Sequence, residues 1–348
     1  MASYALLLRP SANRVYTGAA AGLAIAELEV FSQSVLGGGI GEIAEASIGG
    51  VPYLRFETQA PELSERGAAY LANLSAGYAL FRLDGELLRP VPMAPLARYD
   101  DDLITIQKYQ GKTNEQFTRL LLNVTLLSSA FADGMLSRKL TVLDPLCGRG
   151  TTLNQALMYG YDAAGLDLDG KDFDAYTAFI RTWLTRKRIK HHRDYDGPVR
   201  REGKAVARRL RVTMAATRDD YKSGATQELD VVHADTIRAA EFFRPSTADL
   251  VVTDAPYGVQ HGSRTPAKGL GRGPLDLLAD AIPVWSTLLR PGGAAGIAWN
   301  TLVARRADIA PILAQAGLEL LDGHPYLSFR HRVDQAITRD IIIARKPL

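Results

Sequence analysis

Val142-Leu-Asp-Pro-Leu-Cys-Gly-Arg-Gly150-Thr-Thr-Leu153 decides how this chain reads. The apolar run Leu140–Leu143 reads as a strand, the glycines as a tight turn, and Thr151–Met158 as a helix. Glycines let a backbone approach a ligand closely, and the first N–H groups of a helix have no partner within it. Neither the three-glycine dinucleotide pattern nor the Gly-Lys-Ser/Thr of a phosphate loop is present. Asp144, at the strand end, would repel a pyrophosphate and suits a ligand carrying an amino group and a sulfonium. About 20 residues on, Gly165-Leu-Asp-Leu-Asp169 sets acids at the end of a second strand. There Asp167, with Asp169 as the alternate, can accept both hydroxyls of a ribose. Cys147, Gly148, Gly150 and Leu168 complete this candidate cofactor cradle. Cys147 reads as a small packing residue rather than a nucleophile. Asp235, closing Val231-Val-His-Ala-Asp235, can reach the amino group of an adenine.

Outward from the turn, strands and helices alternate. Strands are expected at 140–143, 162–168, 230–233, 249–253 and 294–299. Helices are expected at 115–127, 151–158, 275–289 and 304–316, and two closing strands at 318–325 and 336–344. Alternation at these lengths predicts an α/β, doubly wound, mostly parallel sheet. Residues 1–98 read as a small α+β N-terminal domain, with strands at 4–8, 42–47 and 53–56, helices at 19–32 and 62–74, and a hairpin over 78–91. Pro90-Val-Pro-Met-Ala-Pro95 then reads as a linker into a domain over 99–348.

Asp254-Ala-Pro-Tyr257 falls at the end of the fourth strand, where doubly wound sheets bind ligands. An amino group conjugated to a ring is a poor nucleophile, because its lone pair is delocalised. A carboxylate (Asp254) and a backbone carbonyl (Ala255) that accept its two N–H bonds favour a more pyramidal nitrogen and hold it in line for attack. Pro256 and Tyr257 would pack on the ring. A base inside a helix would first have to be flipped out. The following loop, 259–273, with His261, Arg264, Lys268 and Arg272, reads either as a lid or as a surface loop.

Composition is that of an ordinary globular protein: 348 residues, 47% hydrophobic, 23% charged, net charge +3. The charge is uneven, with twelve Lys/Arg against three acids between Arg181 and Arg211. Such a concentration suits phosphate contact, and Arg186, Lys187, Arg188 and Lys190 are its densest part, within a basic insertion expected over 181–224. The alternative is a solvated face. The single cysteine excludes an internal disulfide, and no apolar run of about 20 residues suggests a membrane span. The N-terminal residues lack the pattern of a secretory signal. These features predict a cytoplasmic protein with no membrane partner and no metal.

The tetrad Asp254-Ala-Pro-Tyr257 resembles the Asp-Pro-Pro-Tyr or Asn-Pro-Pro-Tyr signature of amino-methyltransferases, with Ala255 where the first proline usually stands. Tyr109-Gln-Gly-Lys-Thr-Asn-Glu-Gln-Phe-Thr-Arg-Leu-Leu-Leu-Asn123, followed by the glycine turn and then the tetrad, is similar to the Trm-eleven (THUMP) type of tRNA guanine-N2 methyltransferases over about residues 105–300. The resemblance implies a Rossmann-like class I fold and S-adenosylmethionine as cofactor, partly covered by Thr113 and Asn114. It also implies methylation of an exocyclic amine, guanine N2 in tRNA being the first expectation. Adenine N6 in DNA or RNA is the alternative. A peptide or small metabolite is a further one, which would need a closed pocket using His261, Trp299 or Tyr326.

Overall fold

The computed structural model describes residues 1–10, 14–109, 111–255 and 273–348. The N-terminal part contains β1 (Ala2–Leu8), α1 (Arg14–Val35), β2 (Ile40–Ile48), β3 (Val51–Thr58), α2 (Glu65–Leu71), β4 (Gly77–Asp84) and β5 (Leu87–Val91). The strands form one antiparallel sheet in the order β2-β3-β1-β4-β5. Alanine, leucine and glutamate dominate α1, and these are strong helix formers. The helix runs past both ends of the expected 19–32. It buries Leu23, Leu28 and Phe31 in one cluster with Leu6, Leu54 and Phe56 of the sheet.

The remainder comprises α3 (Asp102–Thr105), α4 (Glu115–Leu127), β6 (Thr141–Asp144), α5 (Thr151–Met158), β7 (Asp162–Asp167), α6 (Gly170–Arg186), β8 (Lys190–Arg201), β9 (Lys204–Ala215), α7 (Arg218–Ser223) and β10 (Gln227–His233). It continues with β11 (Ala248–Asp254), α8 (Pro274–Leu288), β12 (Leu289–Asn300), α9 (Arg306–Gln315), β13 (Glu319–Leu321), β14 (His331–Arg332) and β15 (Thr338–Arg345). They build a second sheet in the order β13-β15-β12-β11-β6-β7-β10-β9-β8. The pairs β10/β7, β7/β6, β6/β11 and β11/β12 are parallel, and β15 runs antiparallel to both β12 and β13. With the β8–β9 hairpin set aside, the seven long-range strands lie in the order 3-2-1-4-5-7-6 along the chain, the seventh reversed. This is the Rossmann-like class I methyltransferase arrangement. The order turns back between β6 and β11, so the switch point where such sheets bind ligands lies between the ends of those two strands.

Two expectations are revised. The expected strand 318–325 is only three residues long, β13, and β14 forms further on. The basic stretch is regular structure: α6 ends in it, and a twelve-residue hairpin arm on each side extends the sheet past β10. Period-2 patterning explains the arm, since Leu210, Val212 and Met214 are buried while Arg209, Arg211 and Thr213 between them are not.

The two sheets meet through α1 and α4. Glu27, fully buried on α1, accepts from the Ser75 backbone N–H (3.0 Å), the Ser75 hydroxyl (2.6 Å) and Asn123 Nδ2 of α4 (2.7 Å). Asn123 in turn donates to the Asn73 carbonyl and accepts from the Tyr159 hydroxyl, both at 2.8 Å. Burial pushes the Glu27 carboxyl above its ordinary range, against the pull of these donors.

Candidate active site

The glycine turn is built on two left-handed residues. Gly148 has φ +49° and Gly150 φ +77°. At Gly150 a Cβ would meet the Tyr176 ring at 2.2 Å, so backbone shape and packing both require glycine there. At Gly148 nothing lies within 4 Å of that position, which leaves room for a ligand against the backbone. The Cys147 N–H donates to the Leu166 carbonyl at 2.8 Å, tying the turn to β7. Burial pushes the Cys147 thiol up, in keeping with a packing role.

The acids of the turn stand among neutral partners. Asp144 is 3% exposed. Its Oδ1 accepts from the Thr253 hydroxyl (2.8 Å) and the Leu146 N–H (3.2 Å). Burial raises its pKa to about 7, opposed by hydrogen bonds from Thr253 and Thr152. Asp167 accepts one backbone N–H on each oxygen, Gly148 on Oδ2 and Asp169 on Oδ1, both at 2.7 Å. Burial raises it to about 6, against those two bonds. Asp169 caps α6 through the Lys171 N–H. Leu168 is 43% exposed beside these carboxylates, and Asp235, two residues past β10, caps the following 3-10 turn by accepting from the Ile237 N–H at 3.2 Å. Open backbone at Gly148, a carboxylate for ribose hydroxyls, an apolar side chain for a purine face and uncompensated negative charge fit S-adenosylmethionine, a cation.

Beside the turn, β11 ends at Asp254. Its Oδ2 accepts from the Thr113 hydroxyl at 2.7 Å and pairs with Arg339 Nη2 of β15 at 3.4 Å. The Arg339 side chain is 5% exposed and lies 4.3 Å over the Phe117 ring. His331 packs against Phe117 and Tyr16. Burial lowers its pKa to about 4, so it is neutral at ordinary pH. Ala255 is buried and donates its N–H to the Ala298 carbonyl at 2.8 Å. Asn114 uses its Oδ1 to cap α4, accepting from the Gln116 and Phe117 N–H groups. Pro256, Tyr257, His261, Arg264, Lys268 and Arg272 lie outside the described residues. Trp299 is buried with its indole N–H on the Ala304 carbonyl, and the Tyr326 hydroxyl meets that of Ser128, so neither opens toward Asp254.

Sequence reasoning missed Arg339, Thr253 and Tyr109. The Tyr109 hydroxyl contacts Thr151 Oγ1 at 3.1 Å, at the start of α5, and the Arg149 guanidinium lies 4.7 Å over its ring. Tyr109 opens the stretch already singled out, so a signal existed for it. Arg339 lies in a closing strand marked only by its apolar neighbours.

The basic residues divide by position. Arg208 of β9 is level with His233 and hence with Asp167, at the carboxyl edge of the sheet. Lys190 pairs with Ala215 at the other end, roughly 20 Å away at strand rise. Arg186 ends α6 at that same far edge, and Lys187 and Arg188 follow it. Lys187 is held by Asp100 (2.7 Å) and Asp102 (2.6 Å). Of the twelve cations, seven are ion-paired: Arg181 and Arg193 with Asp196, Lys187 as above, Arg201 with Glu241, Arg208 with Asp174, and Arg209 and Arg211 with Asp230. Five of their acids lie outside the run, so the surface charge is well below the formal +9.

Residues 119–281 match the sequence model of the family described as "RMKL-like, methyltransferase domain". No curated protein matches the chain. Among solved structures, a TehB-like SAM-dependent methyltransferase from Corynebacterium glutamicum is 16% identical, with 62% of this chain and 84% of that one covered at a TM-score of 0.34. A SAM-dependent methyltransferase from Methanosarcina mazei is 13% identical (63% and 98% covered, TM-score 0.36). A 1,6-didemethyltoxoflavin-N1-methyltransferase from Burkholderia thailandensis is 16% identical (64% and 77% covered, TM-score 0.35). These low scores bear no weight on activity or substrate; the activity rests on strand order, turn geometry and the family match. Together they make this an S-adenosylmethionine-dependent methyltransferase.

Proposed function

We propose that the protein methylates an exocyclic amino nitrogen of a nucleic-acid base, with guanine N2 in tRNA as the first substrate to test. One observation carries the reading. Asp254 stands at the switch point beside the glycine turn, with Oδ2 fixed by Thr113 and Arg339. A carboxylate clamped on one oxygen by a hydroxyl and a guanidinium is held in one rotamer. Such a group accepts an amine N–H and orients the nitrogen lone pair. S-adenosylmethionine supplies an activated methyl group on its sulfonium. The chain's part is to bind the cofactor through Asp167 and the turn and to place the amine at Asp254. A family model described as RMKL-like supports the reading, as do the resemblance of the tetrad and the cations beside the sheet.

The test is transfer of labelled methyl from S-adenosylmethionine to separated tRNA, rRNA, DNA and small-metabolite fractions, followed by mass spectrometry of the nucleosides. Label in tRNA as N2-methylguanosine is the expected result. Label as N6-methyladenosine would reassign the base, and label confined to metabolites would overturn the nucleic-acid reading.

A further inference from the structure

We propose that the open face of the β8–β9 hairpin is a binding groove for single-stranded polynucleotide, and that it leads the substrate strand toward the carboxyl edge. The proposal deepens the nucleic-acid reading above and rests on it. One face of the hairpin is closed: Leu210, Val212 and Met214 are buried in one cluster with Phe173, Tyr176 and Trp183 of α6. The other face is open, because the chain between β10 and β11 makes only a 3-10 turn, Thr236–Glu241, where a longer helix would cover the sheet. A groove of about 290 Å³ lies there, lined by Tyr195, Val199, Arg200, Arg209 and Arg211, with Asp194.

Its chemistry is that of a strand-binding surface. Arg209 and Arg211 are both pinned on the single carboxylate of Asp230, with contacts of 2.5 to 3.0 Å. Two guanidiniums on one acid leave a net positive charge, and their fixed geometry lowers the entropy lost when a phosphate binds. Asp194, the acid of the groove, accepts from the Thr213 hydroxyl at 2.7 Å. Arg200 has no acidic partner among the described residues and bonds the Gly203 carbonyl at 3.0 Å. Tyr195 is 41% exposed with its hydroxyl on the Pro198 carbonyl at 2.6 Å, which holds the ring for a base to stack on. The hairpin also points the right way. Arg208 is level with Asp167, and Lys204 lies four residues nearer the tip, about 13 Å beyond the edge where the glycine turn and Asp254 stand. Arg201 anchors that tip to Glu241 at 2.6 Å.

The test is fluorescence anisotropy of a labelled single-stranded ribo-oligonucleotide across a salt series, without cofactor, so that it is read independently of turnover. The wild-type protein is expected to bind with a marked salt dependence. Tyr195→Ala should weaken binding by about 5- to 100-fold with the salt slope unchanged. Arg200→Ala combined with Lys204→Ala should weaken binding and lower the slope by about 1.4. All three side chains are exposed, and a melting curve verifies folding. Arg186→Ala with Arg188→Ala, at the far edge, should bind as wild type. Wild-type binding by both groove variants would overturn the proposal, as would loss confined to the Arg186/Arg188 variant. Equally tight binding of a duplex of the same sequence would also overturn it, because paired bases cannot stack on Tyr195. Failure of methyl transfer with this binding pattern intact would strike the proposed activity and leave the groove standing.

Discussion

The glycine turn and the β8–β9 hairpin handle charge in opposite ways. In the turn, Asp144 is buried and Asp167 half-buried, with only hydroxyl and backbone N–H partners. In the hairpin, four of the eight cations, Arg201, Arg208, Arg209 and Arg211, are matched by acids drawn from the rest of the domain. Exposed pairs such as Arg201–Glu241 and Arg208–Asp174 add little to stability. Burying carboxylates without a cation is costly, and burial pushes the pKa of both Asp144 and Asp167 above the ordinary carboxylate range. A fold that keeps such carboxylates leaves a place for a positive ligand. The comparison thus separates a site prepared for one cation from a surface whose formal charge overstates its field.

The sharpest way to break the comparison is at Asp254. Asp254→Ala should cut turnover by at least about 100- to 1,000-fold while calorimetric affinity for S-adenosylmethionine stays near wild type. Retained turnover would remove its assigned role. Gly150→Ala comes next, because the new Cβ collides with Tyr176 at a positive φ. A loss on the order of 1–3 kcal/mol is expected, read as a lower urea midpoint, together with weakened cofactor binding. Asp167→Ala should weaken cofactor binding by roughly 5- to 150-fold, the worth of one or two hydrogen bonds to a charged group. Unchanged calorimetric affinity would refute that contact.

A subtler effect is expected at Asp144. Its folded pKa of about 7 lies above the ordinary 3.8, so the fold favours the neutral acid. Stability of the ligand-free protein therefore falls as pH rises from about 4 to 7, and the cost is complete above that. Asp144→Asn keeps the oxygen that Thr253 and Leu146 bond and removes the titration. The variant should melt a few degrees higher than wild type at pH 8 and show a shallower slope between pH 4 and 7. A cationic ligand favours the ionised carboxylate, so wild-type affinity should fall below pH 7, by up to about tenfold per unit. The variant should lose that pH dependence. The smallest effect belongs to the far edge. Arg186→Ala and Arg188→Ala should change stability by no more than about 0.5 kcal/mol, and a larger loss would show that these two side chains help hold the fold.

What the sequence showed was local. The strand, turn and acids of residues 142–169 are close neighbours, and residue type alone limits what each can do, so they were legible. Helix α5 begins and ends where the apolar spacing ends it. Illegible features depend on residues brought together by the fold. Thr113 and Asp254 are 141 residues apart, and Arg339 reaches Asp254 from the strand that reverses direction in the sheet. Neither link has a signature in spacing. The basic run was visible as charge but not as geometry. Lys187 stands among free cations in sequence, yet its partners Asp100 and Asp102 come from before α4. Alternation of Leu210, Val212 and Met214 did carry a strand signal, masked by the arginines between them.

The central claim is that the carboxyl edge holds two separable functions, a cofactor cradle at the turn and an amine acceptor at Asp254. The most direct test measures S-adenosylmethionine affinity and methyl transfer to tRNA on single preparations of wild type, Asp167→Ala and Asp254→Ala. Affinity lost in the first variant but kept in the second, with turnover abolished in the second, is the expected result. Equal loss of affinity in both, or transfer surviving without Asp254, would contradict it.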